Sequence, residues 1–114
     1  MEWQIIFYKT IDNKSPIEEW IDELDDKTQA KIFRNIMLLK KFALNVREPF
    51  VKPLGDKLYE LRTKDNRGIY RIIYFAHTGK KFVLLNGFVK KTQKTPRKEI
   101  ELAYKRMMEV IENG

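Results

Sequence analysis

Arg62 and Arg71 flank Asp65-Asn66-Arg67-Gly68, a turn signal set between two stretches of strand composition. If the chain reverses about Asn66-Arg67, residues whose numbers sum to 133 face each other, and Arg62 falls opposite Arg71. Like charges directly opposed across a sheet destabilise it. Two arginines there make sense if an anion sits between or above them. The plainer alternative is that Glu60, two residues from Arg62 on the same strand face, shares its charge; another turn register would also remove the opposition. Further along, residues 90–98 read Lys-Lys-Thr-Gln-Lys-Thr-Pro-Arg-Lys, five cations without an acid. This run enters a helix at Thr95-Pro96, and the free N–H groups and dipole of a helix start attract phosphate. Lys90, Lys91, Thr92, Lys94 and Arg97 are therefore candidate phosphate contacts, joined by Arg67 at the hairpin turn. Phe88, beside the basic run, is the aromatic best placed to stack on an unpaired base, with Tyr70 a weaker case. The plainer reading of the run is a solvated charged surface.

The charge distribution points the same way. The net charge is +7, and residues 52–98 hold 13 basic and 3 acidic residues. Concentrated positive potential favours a polyanion, nucleic acid being the usual one, although lysine also serves solubility alone. Metal and cofactor chemistry find little support. The sole histidine, His77, stands at a turn signal without a second ligand at metal spacing. No phosphate-binding glycine loop or dinucleotide fingerprint occurs. Cysteine is absent, which excludes a disulfide scaffold and a thiol nucleophile and fits a reducing cytoplasm. Neither a signal peptide nor a membrane span is expected. A nuclease of this composition would work without metal, through cations.

These residues need elements to position them. Residues 2–8 read as a strand. Ser15-Pro16-Ile17-Glu18 starts a helix, with Ile17, Trp20, Ile21 and Leu24 on one face. Asp26 can cap a second helix reaching about Leu44, with an apolar stripe through Ala30, Phe33, Ile36 and Met37 that needs a sheet to cover. Strands are expected over 57–63, 69–77 and 81–89 as an antiparallel meander, the middle one apolar on both faces. A last helix buries Ile100, Ala103, Tyr104, Met107 and Ile111. The order is β-α-α-β-β-β-α: one α+β domain over residues 1–114, a small antiparallel sheet packed by two N-terminal helices and a closing C-terminal one.

Lys57-Leu58-Tyr59-Glu60-Leu61-Arg62, then Tyr70-Arg71-Ile72-Ile73-Tyr74, then Leu84-Leu85-Asn86-Gly87-Phe88-Val89-Lys90-Lys91-Thr92-Gln93-Lys94-Thr95-Pro96 resemble the phage Gp49-like branch of the HigB toxins, in the RelE/ParE superfamily. The resemblance covers nearly the whole chain and implies a RelE-like fold. It also implies a toxin of a toxin–antitoxin pair that enters the ribosomal A site and cleaves mRNA by metal-free attack of a 2′-OH on the adjacent phosphate. Arg62 and Arg71 would bind phosphate and stabilise charge on phosphorus, with Lys90 and Lys91 as proton-transfer or clamping groups. No His or Tyr near the C-terminal end matches the proton-transfer residue many superfamily members carry. The partner implied is a helix-turn-helix, HigA-like antitoxin. A ParE-like poison of DNA gyrase and a basic module that binds RNA without cutting it are the alternatives. Arg71→Ala is expected to remove charge while costing the core little.

Overall fold

In the computed structural model, residues 2–90 and 94–113 are described. Strand β1 (Gln4–Phe7) leads into helices α1 (Pro16–Asp22) and α2 (Asp26–Phe42), and a short 3-10 turn (Ala43–Asn45) follows. Strands β2 (Val51–Gly55), β3 (Leu58–Asp65), β4 (Gly68–His77) and β5 (Lys81–Lys90) come next, and helix α3 (Arg97–Asn113) closes the chain. The sheet order is β1-β5-β4-β3-β2. The α+β class and the meander agree with the sequence reading. Two features differ. The sheet is mixed, because β1 runs parallel to β5. It also has a strand, β2, where no strand was read. Pro53 and Gly55 hide it, and its position on the sheet edge is where a proline costs no ladder hydrogen bond.

Local chemistry sets the helix starts as expected. The Ser15 hydroxyl accepts from the Glu18 N–H at 3.3 Å and Pro16 opens α1. For α2 the cap is Asp25 rather than Asp26, its carboxylate taking the Thr28 N–H at 2.8 Å. The buried stripe of α2 is Thr28, Ile32, Ile36 and Leu39, so Phe33 and Met37 face outward, contrary to the expected stripe. On α3 only Ala103 and Met107 are fully buried, and Tyr104 and Ile111 are exposed. The sheet separates two apolar layers. Ile17, Ile21, Ile32, Ile36 and Leu39 pack with Leu61, Ile72 and Leu84 on one face, and Ala103 and Met107 pack with Ile73, Phe75, Val83 and Leu85 on the other. A bulge lets both Leu85 and Asn86 face α3, since Ile73 pairs with Asn86 and Tyr74 already pairs with Leu84. Gly87 is required by space: a Cβ there would lie 2.5 Å from the Trp20 ring of α1.

Candidate nucleic-acid interface

The β3–β4 register places Arg62 opposite Arg71, as the turn at Asn66-Arg67 dictates. Arg71 in turn faces Phe88 on β5, giving one rung of Arg62, Arg71 and Phe88 across three strands. The neighbouring rung toward the hairpin end is Lys64, Ile69 and Lys90, and the one on the other side is Glu60, Ile73 and Asn86. Because side chains alternate along a strand, all three rungs share the face that α3 covers. Lys90 therefore joins Arg62, Arg71 and Phe88 on one face, and it is exposed at the end of β5. Lys64, which the sequence reading passed over, is exposed on the same face; its two-residue spacing from Arg62 was the available signal.

Beneath this end of the sheet lies a buried charge centre. Glu60 and Arg71 have no exposed surface, and the Arg62 side chain keeps only 12% of its own. The Arg62 Nε donates to Glu60 Oε1 at 2.7 Å, and Arg71 Nη1 lies 3.6 Å from Glu60 Oε2. Thr95, buried where the chain turns into α3, receives a hydrogen bond from Arg71 Nη1 at 3.2 Å and donates its hydroxyl to Glu60 Oε2. One carboxylate thus sits between two guanidiniums, and the opposition of like charges is relieved from within. The alternative considered for Glu60 holds for the buried part of the cluster. An open surface shared by all the predicted cations does not form: Arg71 is enclosed by sheet, Thr95 and Glu60. The expectation that Arg71→Ala costs little is overturned for the same reason, since one member of a buried ionic cluster would be lost. Thr95 is the residue whose weight only the packing reveals.

The remaining candidates are spread more widely. Arg67 pairs with Asp25 at the start of α2 rather than joining the Arg62 rung. Asp25 is held down to about 2, first by the Thr28 N–H, then by the Thr28 hydroxyl and Arg67. Asp65, at the same turn, is pushed up by burial, but hydrogen bonds from Arg67, Thr28, Gly68 and Tyr70 outweigh this and leave it below the usual carboxylate range. Phe88 is half-buried against the α3 layer, and Tyr70 is buried on the other face. Lys94 is exposed beside Thr95. Arg97, almost fully exposed, pairs with Glu101 one turn along α3 at 3.6 Å, an arrangement that solvent weakens. Lys91 and Thr92 lie outside the described residues. Among the described residues no three His, Cys, Asp or Glu side chains gather as a metal site, and no helix is long and apolar enough to cross a membrane.

Fold and charge together define a small basic α+β protein with exposed Lys64 and Lys90 at one sheet end, beside the largely buried Arg62. The chain belongs to the family of phage-derived Gp49-like proteins, whose profile matches residues 19–108. Two curated relatives, from strains CDC 1551 / Oshkosh and H37Rv of Mycobacterium tuberculosis, are each described as probable endoribonuclease HigB1. Each is 28% identical over 101 residues, covering 88% of this chain and 78% of the relative. The resemblance to HigB toxins drawn from the sequence is borne out by the family match and these relatives.

Proposed function

We propose that this protein is the toxin of a toxin–antitoxin pair and an endoribonuclease that cleaves mRNA on the ribosome. The observation that carries the reading is the Arg62–Arg71 rung, with Glu60 beneath it and Lys64 and Lys90 beside it at the open end of the sheet. In the reaction, the 2′-OH of one nucleotide attacks the adjacent phosphorus. Its proton leaves to a base, the bond to the 5′-oxygen breaks, and that oxygen takes up a proton. A 2′,3′-cyclic phosphate and a 5′-hydroxyl result. Charge builds on the non-bridging oxygens, and fixed cations stabilise it without reorganising. Arg62 is the guanidinium at the surface of the buried centre and serves as the phosphate contact. Arg71 acts through Glu60 and Thr95 as a positioning residue. Exposed Lys90 clamps phosphate. Lys91, Thr92, Lys94 and Phe88 extend the RNA contact. The acidic counterpart that silences the toxin is a helix-turn-helix antitoxin.

Expression of the chain alone should arrest bacterial growth, with cuts in a reporter mRNA mapped by primer extension. Arg62→Ala should slow cutting by about 10²–10³ and restore growth. The fold should survive, because Glu60 keeps Arg71 and Thr95. A folded Arg62→Ala protein that cuts at the wild-type rate would remove Arg62 from the chemistry. Growth arrest with DNA damage and intact mRNA would point to gyrase instead.

A further inference from the structure

On the far side of Arg62 from the β4 rung, the sheet edge opens into a second basic feature. Strand β2 pairs with β3 only from Leu58 to Leu61, and the Phe50 carbonyl takes the Arg62 N–H at 2.8 Å. Beyond that point the edge of β3 borders a cleft of about 270 Å³ between α2 and the segment before β2. Lys31, Arg34 and Asn35 of α2, Phe50, and Arg62 and Lys64 of β3 line it, and among the described residues no acidic one does. Asn35 fixes the wall: its Nδ2 donates to the Arg62 carbonyl at 3.2 Å and to the Thr63 hydroxyl at 2.9 Å. Lys31, Arg34, Phe50 and Lys64 are exposed.

We infer that this cleft is a groove for the single-stranded RNA backbone flanking the phosphate held at Arg62. The inference rests on the ribonuclease reading above and adds a substrate-binding surface to it. Three cations at the cleft wall, Lys31, Arg34 and Lys64, match successive phosphates, whose attraction to protein is chiefly electrostatic. Phe50 at the mouth offers a ring on which an unpaired base stacks, a contact that duplex RNA cannot make without opening. Arg62 is common to the cleft and to the buried charge centre, so a strand lying in the groove leads directly to the candidate site. The acid-free lining disfavours a basic partner. An acidic protein segment would satisfy the lysines but gives Phe50 no comparable role.

The test uses the full chain and a fluorescein-labelled 2′-O-methyl oligoribonucleotide, which lacks the attacking hydroxyl, with binding read by anisotropy over a salt series. Lys31→Ala/Arg34→Ala/Lys64→Ala should reduce the slope of log K against log salt by about 2, from three contacts at about 0.7 each, a loss of about 100-fold at about 0.1 M salt. Circular dichroism should be unchanged, since all three side chains are exposed and alanine favours α2. The control Lys9→Ala/Lys14→Ala/Lys105→Ala removes the same charge from exposed positions elsewhere and should leave the slope nearly intact. Phe50→Ala should lower affinity about tenfold at constant slope. Equal losses in the cleft and control variants would reduce the effect to bulk charge and overturn the groove. So would a cleft variant that binds RNA like wild type, including one that instead loses a poly-glutamate peptide. If wild type still cuts reporter mRNA in cells in those cases, the ribonuclease reading stands without the groove; if wild type neither cuts nor binds, both fall.

Discussion

Glu60→Gln is the most direct probe of the buried charge centre. Glutamine keeps the shape and one acceptor but removes the negative charge between two guanidiniums, one of them fully enclosed. Breaking a buried ion pair by removing one partner costs about 3–5 kcal/mol, because the remaining charge stays desolvated without compensation. The Arg62 side chain keeps 12% of its surface exposed and Arg71 keeps none, so Arg71 carries most of the penalty. Against a total stability of about 5–15 kcal/mol for a domain of this kind, the loss is large. At about 4 °C per kcal/mol for a chain of this length, the melting midpoint should fall by about 12–20 °C. Adding Arg71→Met removes the stranded cation and fills its space with an apolar chain, so Glu60→Gln/Arg71→Met should recover most of the loss. Thermal melts and urea titrations of the wild type, both single variants and the pair would measure this as a double-mutant cycle. A Glu60→Gln loss below about 1 kcal/mol, the size of an ordinary hydrogen bond, would refute the account. A double variant no more stable than Glu60→Gln would refute it equally.

Asp25→Ala should lower the melting temperature at neutral pH, since it removes the α2 cap and the Arg67 partner. Because Asp25 titrates at about 2 in the folded chain, below its ordinary 3.8, its contribution is fully present above about pH 4 and lost as pH falls through about 2. The gap between wild type and Asp25→Ala should close over that window; a gap that stays constant to pH 2 would exclude the charged cap. Gly87→Ala should destabilise by about 1–3 kcal/mol through overpacking, because its Cβ meets the Trp20 ring at 2.5 Å. Trp20→Leu in that background should recover part of the loss in urea titrations, and no recovery would place the strain elsewhere.

Features that depend on short separations along the chain were legible before folding. The helix start at Ser15-Pro16 follows from residues a turn apart, whereas the cap of α2 falls on Asp25, one residue before the expected Asp26. The Arg62–Arg71 opposition follows from a two-residue hairpin turn that fixes register locally. The basic run after β5 and the motif around Gly87-Phe88 were enough to identify the family resemblance. What each arginine can reach depends on packing. Glu60 lies two residues from Arg62, but Thr95, 35 residues away, closes over it only in the folded chain. That contact comes from how α3 docks on the sheet, and period and propensity do not encode docking. The same holds for the outward turn of Phe33 and Met37: Ile32, Ile36 and Leu39 compete for the same sheet, and packing volume chose between two stripes of similar hydrophobicity. The cleft at Lys31, Arg34 and Lys64 joins a helix to a strand end about 30 residues later along a β3 edge that β2 leaves uncovered. That edge stays open because β2 begins only at Val51, opposite Leu61, and leaves β3 beyond Arg62 without a covering strand.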